Sequence, residues 1–413
     1  MHYVFAILII ALLVRETVPL GDIYVLRGIT EGLALAIGSW WILSHSHSIT
    51  YRKYTLLGLY ALSLMPTIIL SLEPLHVALQ ILSLLAIVIF FVAYVESNLG
   101  TSPTQQTTIL IILCALTLVC TGSLMLFQIS PSLAYDQTLE YYGWNSTPRF
   151  KGLFGKPATL AAYAGILLGI SLFSKHNLIL RTAGVISSIP CLYLTGSRSF
   201  WAGAILAAGV TAVTYVSHKK VLVIGGILCL LIAVPLSKVV DLGFTSDTQQ
   251  KIIRTDSLEN LSGRTTIWNL ALARFWDRPW FGFGYTLGHH AFLKEQGGDN
   301  VAFSGIDVSK NQSFSLHNGY VQSLLDSGAV GTSLYLSVIL LALWRMFAYD
   351  QMRQHASVMY SLVFLTIANF GGQLRGACAV PHFSHPRAGL AAIVRERTFM
   401  ENGCRSWGAC SAC

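Results

Sequence analysis

Apolar stretches of about twenty residues recur along this chain. A stretch of that length has one common fate, an α-helix crossing the roughly 30 Å hydrocarbon layer of a bilayer. They fall at about 3–14, 29–44, 54–72, 75–95, 107–127, 157–174, 178–195, 199–216, 221–237, 319–344 and 356–372. These runs are continuously apolar, whereas strands of a membrane barrel alternate apolar and polar. Only 11% of the 413 residues are charged, where a soluble domain carries about 25%. The sequence therefore reads as an all-α, polytopic transmembrane helical bundle of about eleven spans. The first stretch has no basic flank before it and no small-residue cleavage site after it, so no cleavable signal peptide is expected there.

Basic residues set the orientation. Arg52 with Lys53, Lys175 with Arg181, His218-Lys219-Lys220, and Arg345 with Arg353 stand in every second short loop. Such loops stay in the cytoplasm. The N-terminus is then inside, and the loops 128–156, 196–198 and 238–318 all face out. The net charge of +8 follows from the inner loops and is no sign of nucleic-acid binding. The chain divides into N-terminal transmembrane helices over 1–127, an outer loop over 128–156, central transmembrane helices over 157–237, an outer loop subdomain over 238–318, C-terminal transmembrane helices over 319–372 and a tail over 373–413.

The 238–318 loop is too long for a simple connection. Ile267, Trp268, Leu270, Ala271, Leu272 and Phe275 recur at helical spacing, with Ser262 available as a cap. Pro279, Trp280, Phe281, Phe283 and Tyr285 follow, and aromatics of this kind favour the membrane–water interface. The expectation is a small helical subdomain resting on the bilayer. The tail differs in kind. It is rich in Ala, Arg, Gly and Cys with no span of sufficient length, and it reads as an altered reading frame or a truncation, against a genuine disordered tail. Of the cysteines, Cys114, Cys120, Cys191 and Cys229 sit in apolar runs as small buried residues. The tail pair Cys410 and Cys413 is a weak metal or redox signal. His289-His290 and His45-Ser46-His47 lack the carboxylates or thiolates of a metal site.

Three polar residues fall on the outer side. Arg198 stands at the mouth of a span in Leu194-Thr195-Gly196-Ser197-Arg198-Ser199, Arg264 opens the loop helix in Ser262-Gly263-Arg264-Thr265, and His317 precedes a span in Leu316-His317-Asn318-Gly319-Tyr320. Two guanidiniums can hold a diphosphate through paired hydrogen bonds. An imidazole near neutral pH can take a proton from a hydroxyl. The plain alternatives are an interfacial arginine, a surface ion pair of Arg264 with Asp256 or Glu259, and a histidine capping its helix. Asp326 falls in the outer part of the span after His317, where an acid is costly unless paired. Gly282-Phe283-Gly284-Tyr285 follows no strand and is not a nucleotide loop.

Four pieces in one order resemble the O-antigen ligase/polymerase family of bacterial inner membranes. They are Gly152-Leu153-Phe154-Gly155 opening a span, Leu194-Thr195-Gly196-Ser197-Arg198, Ser262-Gly263-Arg264-Thr265 with Ile267-Trp268 then Pro279 and Gly282-Phe283-Gly284, and His317-Asn318-Gly319-Tyr320 followed by Asp326, Gly328 and Gly331. The resemblance covers about residues 50–345. It implies an inner-membrane glycosyltransferase with a periplasmic active site, the 238–318 loop forming a small helical periplasmic subdomain. The donor would be a glycan on a polyprenyl diphosphate, with no cofactor and no metal. The acceptor would be lipid A–core for a ligase or a growing polysaccharide for a polymerase. By match of motif, Arg198 and Arg264 would bind the diphosphate and His317 would act as base, inverting the anomeric centre. Arg149, Lys156, Tyr320 and Asp326 join Arg198 and Arg264 as substrate-binding candidates. Members often carry Glu where Asp326 stands, and about twelve spans.

Two other classes compete. A lipid-linked glycan transporter or flippase would put charges and broken helices near mid-membrane in repeated halves, and no repeat is visible here. A non-catalytic scaffold of a polysaccharide assembly complex would tolerate loss of Arg198, Arg264 and His317.

Overall fold

A backbone in hydrocarbon must satisfy its own hydrogen bonds, so apolar runs of this length become helices. The structure, a computed structural model, describes residues 8, 11, 23–45, 53–97, 102–136, 149–174, 177–215, 264–288, 302–303, 306–307, 316, 318–348 and 356–369, all within the unit Met1–Ala379. The spans expected at 3–14 and 221–237, most of the 238–318 loop and the 373–413 tail lie outside the described residues.

The first elements are α1 (Ile23–Ser44), α2 (Thr55–Ser63), α3 (Pro66–Leu70), α4 (Pro74–Ser97) and α5 (Ser102–Ile129). A short α6 (Pro131–Ala134) leads into the hairpin of β1 (Tyr135–Asp136) and β2 (Arg149–Phe150), antiparallel with Tyr135 opposite Phe150. Then come α7 (Pro157–Phe173), α8 (Leu178–Leu194), α9 (Arg198–Tyr215) and α10 (Arg264–Phe275). A second hairpin pairs β3 (Ala302–Phe303) with β4 (Ile306–Asp307), and α11 (Gly319–Ala348) and α12 (Ala356–Ala368) follow. Among the described residues, three helices, Pro74–Ser97, Thr107–Ile129 and Gly319–Met346, are long and apolar enough to cross a membrane by length and composition. Four shorter apolar helices accompany them. The run expected as one span over 54–72 is divided between α2 and α3, because Pro66 cannot continue the hydrogen-bond ladder.

The largest core lies where α7, α8, α9 and α12 pack together beside α5. Without a hydrophobic drive inside lipid, such helices associate through small residues that let backbones approach. Gly165 and Gly169, one turn apart on α7, receive the rings of Phe364 and Tyr360 from α12: a Cβ at either glycine would lie 2.0 Å and 1.8 Å from them. Phe364 and Tyr360 are fully buried and stack on each other at 5.9 Å. At the far end of α7, Arg181 donates through Nε to the carbonyl of Ser171 at 2.8 Å and through Nη2 to that of Leu172 at 2.9 Å. This basic side chain of α8 thus takes up carbonyls left open by the helix end.

The helix expected as a single span over 319–344 is bent into a V. Gly328 has φ 65 and ψ −170 inside α11. In a straight helix residues nine apart are separated by about 13.5 Å. Here Ser323 and Thr332 hydrogen-bond through their hydroxyls at 2.9 Å, and the rings of Tyr320 and Tyr335 lie 6.4 Å apart. The short arm, 319–327, therefore folds back beside the start of the long arm, 329–348. The long arm alone is about 30 Å long, enough to cross a bilayer.

The break frees backbone groups, and the segment after α10 takes them up. The N–H of Phe283 donates to the carbonyl of Leu325 at 2.8 Å and that of Gly284 to Asp326 at 3.2 Å. In return, Ala329 N–H donates to the Pro279 carbonyl at 2.7 Å and Val330 N–H to that of Trp280 at 3.2 Å. Only glycine permits this approach: a Cβ at Gly282 would stand 2.4 Å from the Leu325 oxygen, and one at Gly328 2.3 Å from the Trp280 carbonyl. The same segment is tied to the α3–α4 corner, where Tyr285 N–H donates to Thr67 Oγ1 at 3.3 Å and Arg278 to the Leu70 carbonyl. Phe283 and Tyr285, expected at the interface, are instead buried in this clip. Phe283 lies under the guanidiniums of Arg274 and Arg278 at 5.2 and 5.0 Å, while Trp276 and Trp280 are the exposed aromatics.

Candidate functional site

Several helix ends meet at the hairpin end of the bundle. Gly152, at φ 58, lays its backbone over Ser123 of α5, and Ser123 Oγ accepts from Leu153 N–H at 3.2 Å. This places the β1–β2 hairpin and the start of α7 above α5. Arg149 lies in β2, half-buried, and Lys156 is the exposed residue directly before α7. Burial pushes the Tyr135 phenol of β1 above its ordinary value. β2 also packs beside α8, which runs up to the Thr195–Gly196 turn and on into α9. Arg198 opens α9 and is exposed.

From Arg198 the connection to the His317 motif runs through α12. Gly203, in the second turn of α9, faces α12: a Cβ there would lie 3.4 Å from Phe364 and from Ala368. α12 ends at Asn369, whose carbonyl accepts from Gly319 N–H at 2.8 Å and whose Nδ2 donates to Tyr335 Oη at 3.4 Å. Gly319 has no room for a side chain: a Cβ there would lie 2.0 Å from Asn369 Oδ1. Asn318 caps the short arm of α11, its Oδ1 accepting from Tyr320 N–H at 3.0 Å and Val321 N–H at 3.2 Å. Tyr320 donates its hydroxyl to the Thr366 carbonyl at 2.8 Å, so this substrate-binding candidate is engaged in holding α12.

The loop helix joins from the other side. Arg264 is the first residue of α10, and its side chain lies outside what is described. One turn on, Trp268 donates its indole N–H to the Leu316 carbonyl at 2.8 Å. His317 itself lies outside the described residues, but both its neighbours, Leu316 and Asn318, are buried. The backbones carrying the Arg198, Arg264 and His317 motifs are thus tied to one another through α12, Asn369 and Trp268. Asp326 is fully buried on the short arm near the vertex, with Gln322, Ser323 and Ser327 buried on the same arm. A groove of about 380 Å³ opens between α5 and α8, lined by Leu124, Met125, Phe127, Pro190 and Leu194 with Thr121 and Gln128. It lies between those two helices, and Leu194 is four residues before Arg198.

Residues 183–336 match the family described as O-antigen ligase. That stretch of the chain is similar to O-antigen ligases. The match contains Arg198, Arg264, His317, Tyr320 and Asp326 together with the whole Gly328 clip, whereas Arg149 and Lys156 precede it. The apolar helices and this similarity together support a membrane protein of the O-antigen ligase kind. No curated protein matches the chain.

Trp268 and Asn318 stand in the sequence motifs, but their structural tasks emerge only in the fold. An Asn-Gly directly before a helix is a legible cap signal. The bonds of Trp268 to Leu316 and of Asn369 to Gly319 join residues 48 apart and distant in sequence, and nothing local announces them.

Proposed function

We propose that the protein transfers a glycan from a polyprenyl-diphosphate donor to an acceptor hydroxyl at the outer face of the bacterial inner membrane. The observation that carries this reading is the presence of Arg198, Arg264 and His317 within one O-antigen ligase match whose helix ends are tied together. Arg198 and Arg264 bind the diphosphate, each guanidinium offering a fork of N–H donors to phosphate oxygens. The acceptor hydroxyl approaches the anomeric carbon from the opposite face. Its oxygen forms the new bond to that carbon as its proton passes to the His317 imidazole. The carbon–oxygen bond to the diphosphate breaks, its electron pair leaves with the phosphate, and the two arginines neutralise the charge that develops there. One displacement of this kind inverts the anomeric centre. Arg149 and Lys156 steer the anionic donor from the hairpin side, and Tyr320 and Asp326 shape the acceptor side. The apolar groove between α5 and α8 suits the first units of the donor's isoprenoid chain.

The transporter reading needs freed backbone at a broken helix to coordinate cargo. At Gly328 the freed groups of Leu325, Asp326, Ala329 and Val330 are already bonded to residues 279–284. That favours the transferase. Purified protein supplied with a polyprenyl-diphosphate oligosaccharide, with and without lipid A–core, tests it. Product on lipid A–core identifies a ligase and a ladder from donor alone identifies a polymerase. Absence of both, with donor moved across vesicles, would identify a transporter instead.

A further inference from the structure

We propose that Trp268 is a positioning residue that couples the Arg264 helix to His317. The inference rests on the function proposed above and adds to it a residue with its own task. A buried or half-buried indole N–H seeks an acceptor. That of Trp268 selects a backbone carbonyl 48 residues away, on Leu316, at 2.8 Å. Leu316 is 1% exposed, so this carbonyl has little access to water in exchange. On the other side of His317, the Asn318 side chain caps α11 and Gly319 N–H is held by Asn369. The chain is therefore fixed before His317 by the loop helix and after it by α12.

Arg264 and Trp268 stand four residues apart in α10, which puts their positions on one face about 6 Å apart along the axis. One rigid turn of helix thus joins the residue assigned to the leaving diphosphate with the bond that holds the residue before the base. A catalytic base misplaced by about 1 Å can lose about 100-fold in rate. The indole bond holds Leu316, the residue before His317, to the helix that Arg264 begins. Trp268 touches no reacting atom; it acts through the backbone of Leu316.

The test replaces Trp268 with Phe, and separately with β-(3-benzothienyl)alanine, which keeps the bicyclic shape and lacks only the N–H. The His317 imidazole resonance, assigned by its absence in His317→Ala, is followed in the full-length protein in detergent. The resonance should shift in both variants, kcat should fall at least ten-fold with the donor KM within two-fold, and adding Trp268→Phe to His317→Ala should cost nothing further. An unmoved resonance in the benzothienyl variant overturns the coupling whatever the turnover. So does a loss that multiplies on top of His317→Ala. A resonance that moves while neither substitution alters transfer would keep the coupling and overturn the role given to His317.

Discussion

The backbone N–H of Phe283 donates to the carbonyl of Leu325 at 2.8 Å across a break in the helix that follows His317. This bond and its three neighbours explain why the Gly282-Phe283-Gly284 and Gly328 motifs occur together in one chain. Residues 279–284 take up four of the backbone groups freed at Gly328, as a lipid-embedded or interfacial protein requires. The V keeps Asp326 buried and brings the start of the short arm beside Asn369.

Gly328→Ala should therefore destabilise strongly. It places a side chain at φ 65 and a Cβ 2.3 Å from the Trp280 carbonyl. The strain alone is about 1–2 kcal/mol, and the clash is with backbone that has nowhere to go. A fall in melting temperature of the detergent-solubilised protein, larger than for Gly58→Ala, where a Cβ meets nothing within 4 Å, is the expected result. Equal melting temperatures would mean that the clip contributes little.

Gly169→Val tests the packing of α7 on α12. The added branch would displace the fully buried Tyr360 ring, which a Cβ already meets at 1.8 Å. Overpacking of this kind costs about 1–3 kcal/mol or more. Trimming the partner in the pair Gly169→Val with Tyr360→Ala should recover part of the loss, measured by thermal unfolding. No recovery would place the cost elsewhere.

Much of this was legible in the sequence and some was not. Continuous apolar runs gave the helices, and Pro66 marks the division of the 54–72 run. The V at Gly328 was hidden, because an apolar run does not distinguish a straight span from a folded one when the break is satisfied by residues some 45 positions earlier. Phe283 and Tyr285 read as interfacial because aromatics favour that zone, yet the clip buries them while Trp276 and Trp280 stay exposed. Arg198, expected in the turn before the 199–216 run, instead begins its helix, and Arg264 begins the helix that Ser262 precedes. The ties of Trp268 and Asn369 were not legible, since long-range side-chain partners leave no periodic trace.

At the opposite end of the bundle, Tyr54 offers a pH test. Its hydroxyl donates to Glu96 Oε1 at 2.7 Å, beside the Lys53–Glu96 pair at 3.5 Å. Burial first, then the carboxylate, holds the phenol well above its ordinary value of 10.0. In the unfolded chain it ionises near pH 10, while the folded chain keeps the proton. The stability from this group is complete below that pH and is lost as pH rises toward the folded value. The melting-temperature advantage of the natural protein over Tyr54→Phe should shrink between about pH 9.5 and 11.5. An advantage constant over that range would contradict the assignment.

Catalysis tests the central claim most directly. Purified natural protein, His317→Ala and Arg264→Lys are each placed in nanodiscs with a polyprenyl-diphosphate oligosaccharide and either lipid A–core or further donor, and glycan transfer is followed by gel. The natural protein should form product. His317→Ala should fall at least about 100-fold with membrane insertion intact, the lower end of what a positioned general base contributes. Arg264→Lys should fall about ten-fold or more because lysine lacks the fork that grips a diphosphate. Full transfer by either variant would contradict the account.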